Sequence, residues 1–301
     1  MTLVVGTDEA GYGPNLGPLV VAATAWEAAG DPGDVEASFA RAHKVIGPLW
    51  GDSKRIFRGG DGLSALERGV LAAVAAAMGS VPATHASLAV ALGGEFRGDV
   101  AADALPRACR RDDCDAASAA AARGLAAAGL TLVAVRCRVI EPREFNGLLD
   151  AGLNKSDILS QATLELAAAL LARGPRPAVV WCDRHGGRRR YASLVSRALA
   201  APLVQVVEEL PERSAYVVPV ADCRLEFSVG GESRLPVAVA SMTAKYVREL
   251  AMAAFNTRWE SLQPGLRPTA GYPVDAARWR RDAAATVARE GIPWDDLWRR
   301  A

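Results

Sequence analysis

The spacing of apolar positions changes several times along the chain, and each change marks a predicted element. Residues 2–7 and 19–26 are short, nearly continuous apolar runs, the pattern of strands buried on both faces. Between them, Gly11-Tyr12-Gly13-Pro14-Asn15-Leu16-Gly17-Pro18 is too dense in Gly and Pro to be helical. Residues 63–78 repeat apolar positions at helical spacing, and residues 131–139 alternate and are β-branched, as a strand does. An amphipathic helix is predicted over 157–171, with Ser156 or Asp157 as its cap. A short buried strand over 178–182 then runs into Asp183. Next come a helix over 188–199, a strand over 203–207, and a strand over 224–229 expected to form a hairpin with residues after Gly230-Gly231. Helices over 237–255 and 275–289 close the chain. Strands and helices in mixed order predict an α/β domain with a mixed sheet. Residues 79–129 hold two short apolar runs, a charged patch at 110–115 and an Ala-rich helix, and are expected to elaborate the core.

Composition narrows the class. Half of the 301 residues are hydrophobic, yet no run of about 18 apolar residues is free of a charge or a breaker, so no membrane span is expected. No basic stretch precedes the acidic pair at positions 8 and 9, so no signal peptide is expected and a cytoplasmic protein is. Of the five cysteines only Cys109 and Cys114 are close, and no second pair or histidines stand at zinc spacing. Reduced, structural thiols are the expectation. The net charge of +1 hides an asymmetry: residues 173–301 hold 20 basic and 14 acidic side chains, against 15 and 20 in residues 1–172. A basic second half suits a phosphate-backbone surface and equally suits ordinary solvated arginines.

Three clusters carry candidate chemistry. Asp8-Glu9 sits at the lip of an apolar strand, where adjacent acids are costly unless a cation lies between them. Side chains of neighbouring strand residues point to opposite faces. The strand is therefore expected to end here, so that the turn can aim Glu9 back toward Asp8. Asp183 repeats the arrangement of strand, acid and glycine-containing loop. The following Arg184-His185-Gly186-Gly187-Arg188-Arg189-Arg190 offers four guanidiniums suited to phosphate oxygens. Ser241, Lys245 and Glu249 fall at i, i+4 and i+8 on one helix face. Taken singly, these clusters also fit a solvated strand end, a solvated basic loop and a surface Lys–Glu pair. Together, acids at 8, 9, 183 and 249 are the all-oxygen set that Mg²⁺ or Mn²⁺ prefers, and two such ions suit phosphodiester hydrolysis.

The segment from Gly6-Thr7-Asp8-Glu9-Ala10-Gly11 to Gly17-Pro18-Leu19-Val20 resembles the opening motif of ribonuclease HII, in the style of its archaeal and eukaryotic branch. Asp52-Ser53-Lys54, the stretch from Asn154 to Leu171, residues 178–183, and Ala240-Ser241-Met242-Thr243-Ala244-Lys245-Tyr246-Val247-Arg248-Glu249 are similar to later motifs of that family. So is the closing segment with Gly271-Tyr272-Pro273 and Trp279. All stand in the family's order and cover roughly two thirds of the chain. The resemblance implies an RNase H-like fold: a mixed five-stranded sheet flanked by helices, with residues 1–255 catalytic, 79–129 inserted, and 256–301 a helical extension. It implies cleavage of the RNA strand of RNA–DNA hybrids, or at a ribonucleotide embedded in duplex DNA, with Mg²⁺ or Mn²⁺ and no obligate protein partner. Asp8, Glu9, Asp183 and Glu249 match the metal-binding acids. Gly11 and Gly13 flank Tyr12 in the loop whose backbone senses the ribose 2′-hydroxyl. Lys54, Ser241 and Lys245 match groups that contact phosphate or stabilise the site, Arg188 joins them from the basic loop, and Tyr272 matches the tyrosine stacked at the RNA–DNA junction. Tyr12 stands where the family has Arg, and Glu249 where it has Asp. Two other readings therefore stay open: a nuclease of this fold with another nucleic-acid substrate, and a non-catalytic nucleic-acid-binding relative.

Overall fold

In β1 (Thr2–Ala10) every residue through Asp8 is buried, which places this strand at the centre of a sheet. β2 (Leu19–Ala28) pairs with it antiparallel, from Thr2 opposite Ala28 to Ala10 opposite Val20. The chain then leaves the sheet through α1 (Val35–Ile46), α2 (Ser53–Arg58), α3 (Gly62–Met78), α4 (His85–Ala91) and α5 (Arg111–Ala127), and β3 (Leu130–Ile140) returns to the far side of β2. After α6 (Pro142–Asp150) and α7 (Lys155–Leu171), β4 (Ala178–Asp183) lies parallel to β1. α8 (Ala192–Ala198), β5 (Gln205–Glu209), β6 (Arg213–Val218) and β7 (Cys223–Ser228) precede the two closing helices, α9 (Leu235–Leu262) and α10 (Pro273–Arg289). The structure, a computed structural model, describes residues 1–58, 62–94 and 103–300.

The sheet has seven strands in the order β3-β2-β1-β4-β7-β6-β5, against the five expected. Only β1, β4 and β7 run parallel to their neighbours, so their carboxyl ends share one edge. β7 pairs back with β6 rather than forward with residues beyond Gly230-Gly231, which turn into a short 3-10 segment instead. β6 escaped the sequence pattern because its first half, Arg213-Ser214-Ala215, is charged or small. α7 is capped by Asn154, whose side chain accepts from the Asp157 N–H while Asp157 returns the bond, so the cap lies upstream of the expected Ser156 or Asp157. The helix expected over 188–199 shrinks to α8, because side-chain bonds hold residues 184–190 outside it: Arg184 Nε donates to the Arg188 carbonyl at 2.9 Å.

One face of the sheet carries α9 and α3, and the other carries α7 and α8. Gly6 is where α9 meets β1: a Cβ there would fall 2.3 Å from the Pro236 carbonyl carbon. In the 79–129 segment, Cys114, Ala121 and Leu125 of α5 join the core around Trp26 and Phe39. The buried Glu67 carboxylate accepts N–H groups of Arg107, Ala108 and Cys109 and the Tyr246 hydroxyl, fastening this segment to α9. Residues 95–102 of that segment lie outside the described residues. α10 packs Ala276, Trp279 and Ala283 against Trp259 of α9 and Leu16 of the glycine-rich loop. Among the described residues no helix is long and apolar enough to cross a membrane.

Candidate active site

Sites in open α/β sheets gather beyond the carboxyl ends of parallel strands, and the acids of this chain collect there. The pairing of β1 with β4 stops at Thr7 and Cys182, while β1 continues beside β2 through Ala10. The strand thus does not end at Asp8, contrary to expectation. Its neighbour ends instead, and the space beyond Asp183 lets Asp8 and Glu9 meet around the exposed flank of β1. Asp8 lies on the α9 face, where Gly6 meets Pro236. Glu9 lies on the α7 face, where its charge acts on Tyr12. The Glu9 N–H donates to Asp8 Oδ1 at 2.8 Å. Asp183 Oδ1 accepts the Gly231 N–H at 2.9 Å, which ties the end of β4 to the turn after β7.

That turn delivers an acid the sequence reading passed over. Glu232 follows Gly231, pairs with Lys54 Nζ at 3.8 Å and accepts the Ser53 N–H at 3.3 Å. Ser241 Oγ donates to Ser53 Oγ at 3.0 Å, and Ser241 also acts on the Asp8 carboxyl, working against its rise. Asp52-Ser53-Lys54 thereby acquires a local reason: Asp52 caps α2 by accepting the Lys54 and Arg55 N–H groups, Ser53 reaches α9, and Lys54 reaches Glu232. The available signal was the Gly230-Gly231-Glu232 turn directly after a strand, which repeats the pattern that singled out Asp183.

The electrostatics reflect this crowding. Burial pushes Asp8 well above the usual carboxylate range, and the charges of Glu9, Asp183 and Glu232 add to it while Ser241 works against it. Burial, Asp183 and Glu232 raise Glu9 to about 8 despite the bond to Asp8 and the nearby Lys54. Burial also raises Asp183, against the Gly231 and Arg184 N–H groups and Lys54. Asp8 Oδ2 and Glu9 Oε2 are buried with no hydrogen-bond partner. A buried carboxylate oxygen without a donor is expensive, and a hard divalent cation would satisfy both. Among the described residues no three His, Cys, Asp or Glu side chains form a ready-made metal cage. That is compatible with Mg²⁺, which usually takes one or two carboxylates plus substrate oxygens rather than an all-protein shell.

The remaining predicted residues divide. Ser241 and Lys54 belong to the acid cluster. Glu249 lies two helical turns beyond Ser241, about 12 Å along α9, and its carboxylate pairs with Lys245 at 3.4 Å. Lys245 in turn sits over the Phe57 ring at 4.0 Å. The charges that shift Asp8, Glu9 and Asp183 come from one another, Glu232 and Lys54, so Glu232 belongs to the cluster as well. Gly11 takes φ +85°, and a Cβ there would fall 2.6 Å from Arg248 Nε; Gly13 has open space around it. The Tyr12 ring lies under Lys155 Nζ at 4.7 Å, with its hydroxyl against Gly186 of the basic loop. Arg188 bonds Ser156 Oγ at 3.0 Å and pairs with Asp157, and with Arg189, Arg190, Asn154 and Ser156 it lines an open cavity of about 600 Å³. His185 is a buried anchor for that loop, bonded to Ser160 at 2.9 Å, and burial lowers it to about 3. Tyr272 caps α10 with its ring 54% exposed and the Arg248 guanidinium 5.7 Å from its centre.

No protein-family model matches the chain, and no curated protein matches it. Solved structures do. Ribonuclease H2 from Pyrococcus horikoshii OT3 matches with a TM-score of 0.51 at 15% identity, over 98% of this chain and 92% of that one. RNase HII of Archaeoglobus fulgidus, solved in complex with PCNA, matches with a TM-score of 0.46 at 16% identity, over 99% and 94%. RNase H3 of Aquifex aeolicus matches with a TM-score of 0.44 at 14% identity, over 98% and 71%. The first of these similarities, together with the mixed sheet and its flanking helices, gives this chain an RNase H-like fold.

Proposed function

We propose that the protein is a divalent-metal-dependent nuclease that cuts the RNA strand of RNA–DNA hybrids, or cuts at ribonucleotides embedded in duplex DNA. The observation that carries this is the pair of buried, unpartnered oxygens, Asp8 Oδ2 and Glu9 Oε2, beside Asp183 and Glu232 at the carboxyl edge of three parallel strands. Asp8, Glu9, Asp183 and Glu232 would hold Mg²⁺ or Mn²⁺, Glu232 taking the place expected for Glu249. When bound, such an ion polarises a phosphoryl oxygen and makes water a nucleophile near neutral pH.

The chain's own side chains do the rest. Lys54, 73% exposed beside Glu232, offers a cation at the mouth of the cluster. The arginines of residues 188–190 line a cavity open enough to take backbone phosphates, and such contacts fix register without reading sequence. The backbone of Gly11, Tyr12 and Gly13 follows Glu9 along the chain and would meet the ribose 2′-hydroxyl, the group that separates RNA from DNA. The half-exposed Tyr272 ring offers a face on which a base can stack.

Tyr12 sustains a second reading, a nuclease of this fold with another nucleic-acid substrate. Its neutral ring fills the space between Lys155 and Gly186, where an arginine would have carried charge into the loop. One assay separates the two. The protein is offered a duplex DNA with a single ribonucleotide, an all-DNA duplex and an RNA–DNA hybrid, each with Mg²⁺, Mn²⁺ or EDTA. Metal-dependent cutting at the ribonucleotide is expected. Equal cutting of the all-DNA duplex moves the assignment to the second reading, and tight binding without cutting in either metal overturns both.

A further inference from the structure

The glycine-rich loop after β1 rests on two buried guanidiniums from distant parts of the chain. Arg248 of α9 is 4% exposed and Arg299 is 1% exposed. Arg299 Nη2 donates to the Gly11 carbonyl at 2.6 Å and to the Pro14 carbonyl, so one nitrogen spans the loop across three residues. The contact is reinforced at backbone level: the Arg299 N–H donates to the Asn15 carbonyl at 2.7 Å, Asn15 Nδ2 donates to the Arg299 carbonyl at 3.1 Å, and Trp298 bridges Leu16. Arg248 closes the other side, its Nη2 donating to the Ala270 carbonyl at 2.9 Å and its stem filling the space a Gly11 side chain would need.

This is more charge than joining two segments requires. Arg248 Nε and the Nε and Nη1 of Arg299 are buried with no hydrogen-bond partner. Burial and the neighbouring Arg248 both push the Arg299 guanidinium down, so the pair repels as it packs. Unsatisfied buried donors are costly, and arrangements that keep such a cost cluster at functional sites. The two carbonyls that Arg299 holds bracket Tyr12 and Gly13. Fixing both ends fixes the peptide planes between them.

We infer that Arg299 is a positioning residue for ribonucleotide recognition: it clamps the Gly11 and Pro14 carbonyls so that the N–H groups between them hold one orientation toward the ribose 2′-hydroxyl, with Arg248 supporting Gly11 from beneath. The inference rests on the function proposed above, and it gives segment 298–300 a role in substrate choice that its sequence does not suggest.

Arg300 supplies the control. It anchors the same segment, donating its N–H to Asn146 Oδ1 at 3.0 Å and pairing with Asp150 at 2.6 Å, without touching the loop. Two fluorescent duplexes that differ only in one ribonucleotide are titrated by anisotropy, with Ca²⁺ in place of Mg²⁺ so that binding is read without cutting. Wild type is expected to prefer the ribonucleotide duplex. Arg299→Ala is expected to reduce that preference by about fivefold or more, the size of one hydrogen-bond network lost. Arg299→Lys should restore part of it, and Arg300→Ala should leave it intact. Hydrogen exchange tests the clamp independently of function: the amides of Tyr12, Gly13, Asn15 and Leu16 should exchange faster in Arg299→Ala but not in Arg300→Ala. An unchanged preference in Arg299→Ala, or an equal loss in Arg300→Ala, overturns the inference. If wild type shows no preference and no cutting, the proposed function falls, and unchanged exchange in Arg299→Ala then removes the clamp as well.

Discussion

Asp8 and Glu9 occupy adjacent positions of one strand, on opposite faces, and still act on each other because β4 stops beside them. With burial and like charge raising both, the folded protein holds protons that the unfolded chain releases between the ordinary carboxylate range and about 8. A raised folded-state value means that this contribution to stability is present below that window and is lost as pH rises through it. A cation displaces the same protons. Mn²⁺ affinity is therefore expected to climb up to about tenfold per pH unit from roughly pH 5 and to level off near 8, read by calorimetry in two buffers of different ionisation enthalpy. A flat profile with no proton release would remove the raised acids from the binding site. At the same scale, Glu232→Gln is expected to weaken Mn²⁺ binding by about tenfold or more, the usual effect of losing a ligand or its close support. Glu249→Gln should change it by less than about twofold, since that carboxylate faces Lys245. The reverse order of effects would return Glu249 to the cluster.

Elements make the cluster possible by where they begin and stop. β1, β4 and the turn after β7 each deliver one part of it, and α9 crosses beneath them only because Gly6 lets the Pro236 backbone approach. Gly6→Ala would place a Cβ 2.3 Å from that carbonyl carbon. Neither backbone can yield without moving a central strand, so a loss of about 3 kcal/mol is expected, at the upper end of overpacking costs; an unchanged urea midpoint would show that the helix can retreat. Most elements were legible from periodicity: β1, β2, β3, β4, α3, α7, α9 and α10 all lie where the apolar pattern put them, with ends shifted by a few residues. β6 was not, since its first half, Arg213-Ser214-Ala215, is charged or small and leaves only Tyr216-Val217-Val218 as an apolar run. Nor was the early end of the helix after the basic loop. Its arginines look helical in isolation, but Arg188 is held out of α8 by Ser156 and Asp157, which belong to another helix.

Over the whole molecule, the excess of basic residues in the second half includes Arg188, Arg189 and Arg190, which line the open cavity. Each phosphate neutralised by one of these side chains contributes about 0.9 to the salt dependence of duplex binding. Arg189→Ala with Arg190→Ala is thus expected to lower the slope of log affinity against log salt by up to about 2, while leaving the Mn²⁺ affinity in place. A slope unchanged by both substitutions would make this face a solvated surface.

Sequence by itself determined the mixed α/β class, the central strands, and Asp183 at the end of a strand ahead of a glycine-containing loop, because local periodicity and turn chemistry write these features within a few residues. It also determined that Tyr12 brings no charge to its loop. Only the tertiary structure decided which acid joins Asp8, Glu9 and Asp183. Glu232 lies far from Asp8 and Asp183 along the chain, and no local pattern joins them. Its place follows from the Gly231 N–H bound to Asp183 and from its own contacts with Ser53 and Lys54. The clamp on Gly11 by Arg299 spans nearly the whole chain, and no local pattern encodes a contact of that length. Pairing at such separation is set by how the core packs, and the core exists only once the sheet and both helical layers have closed around it.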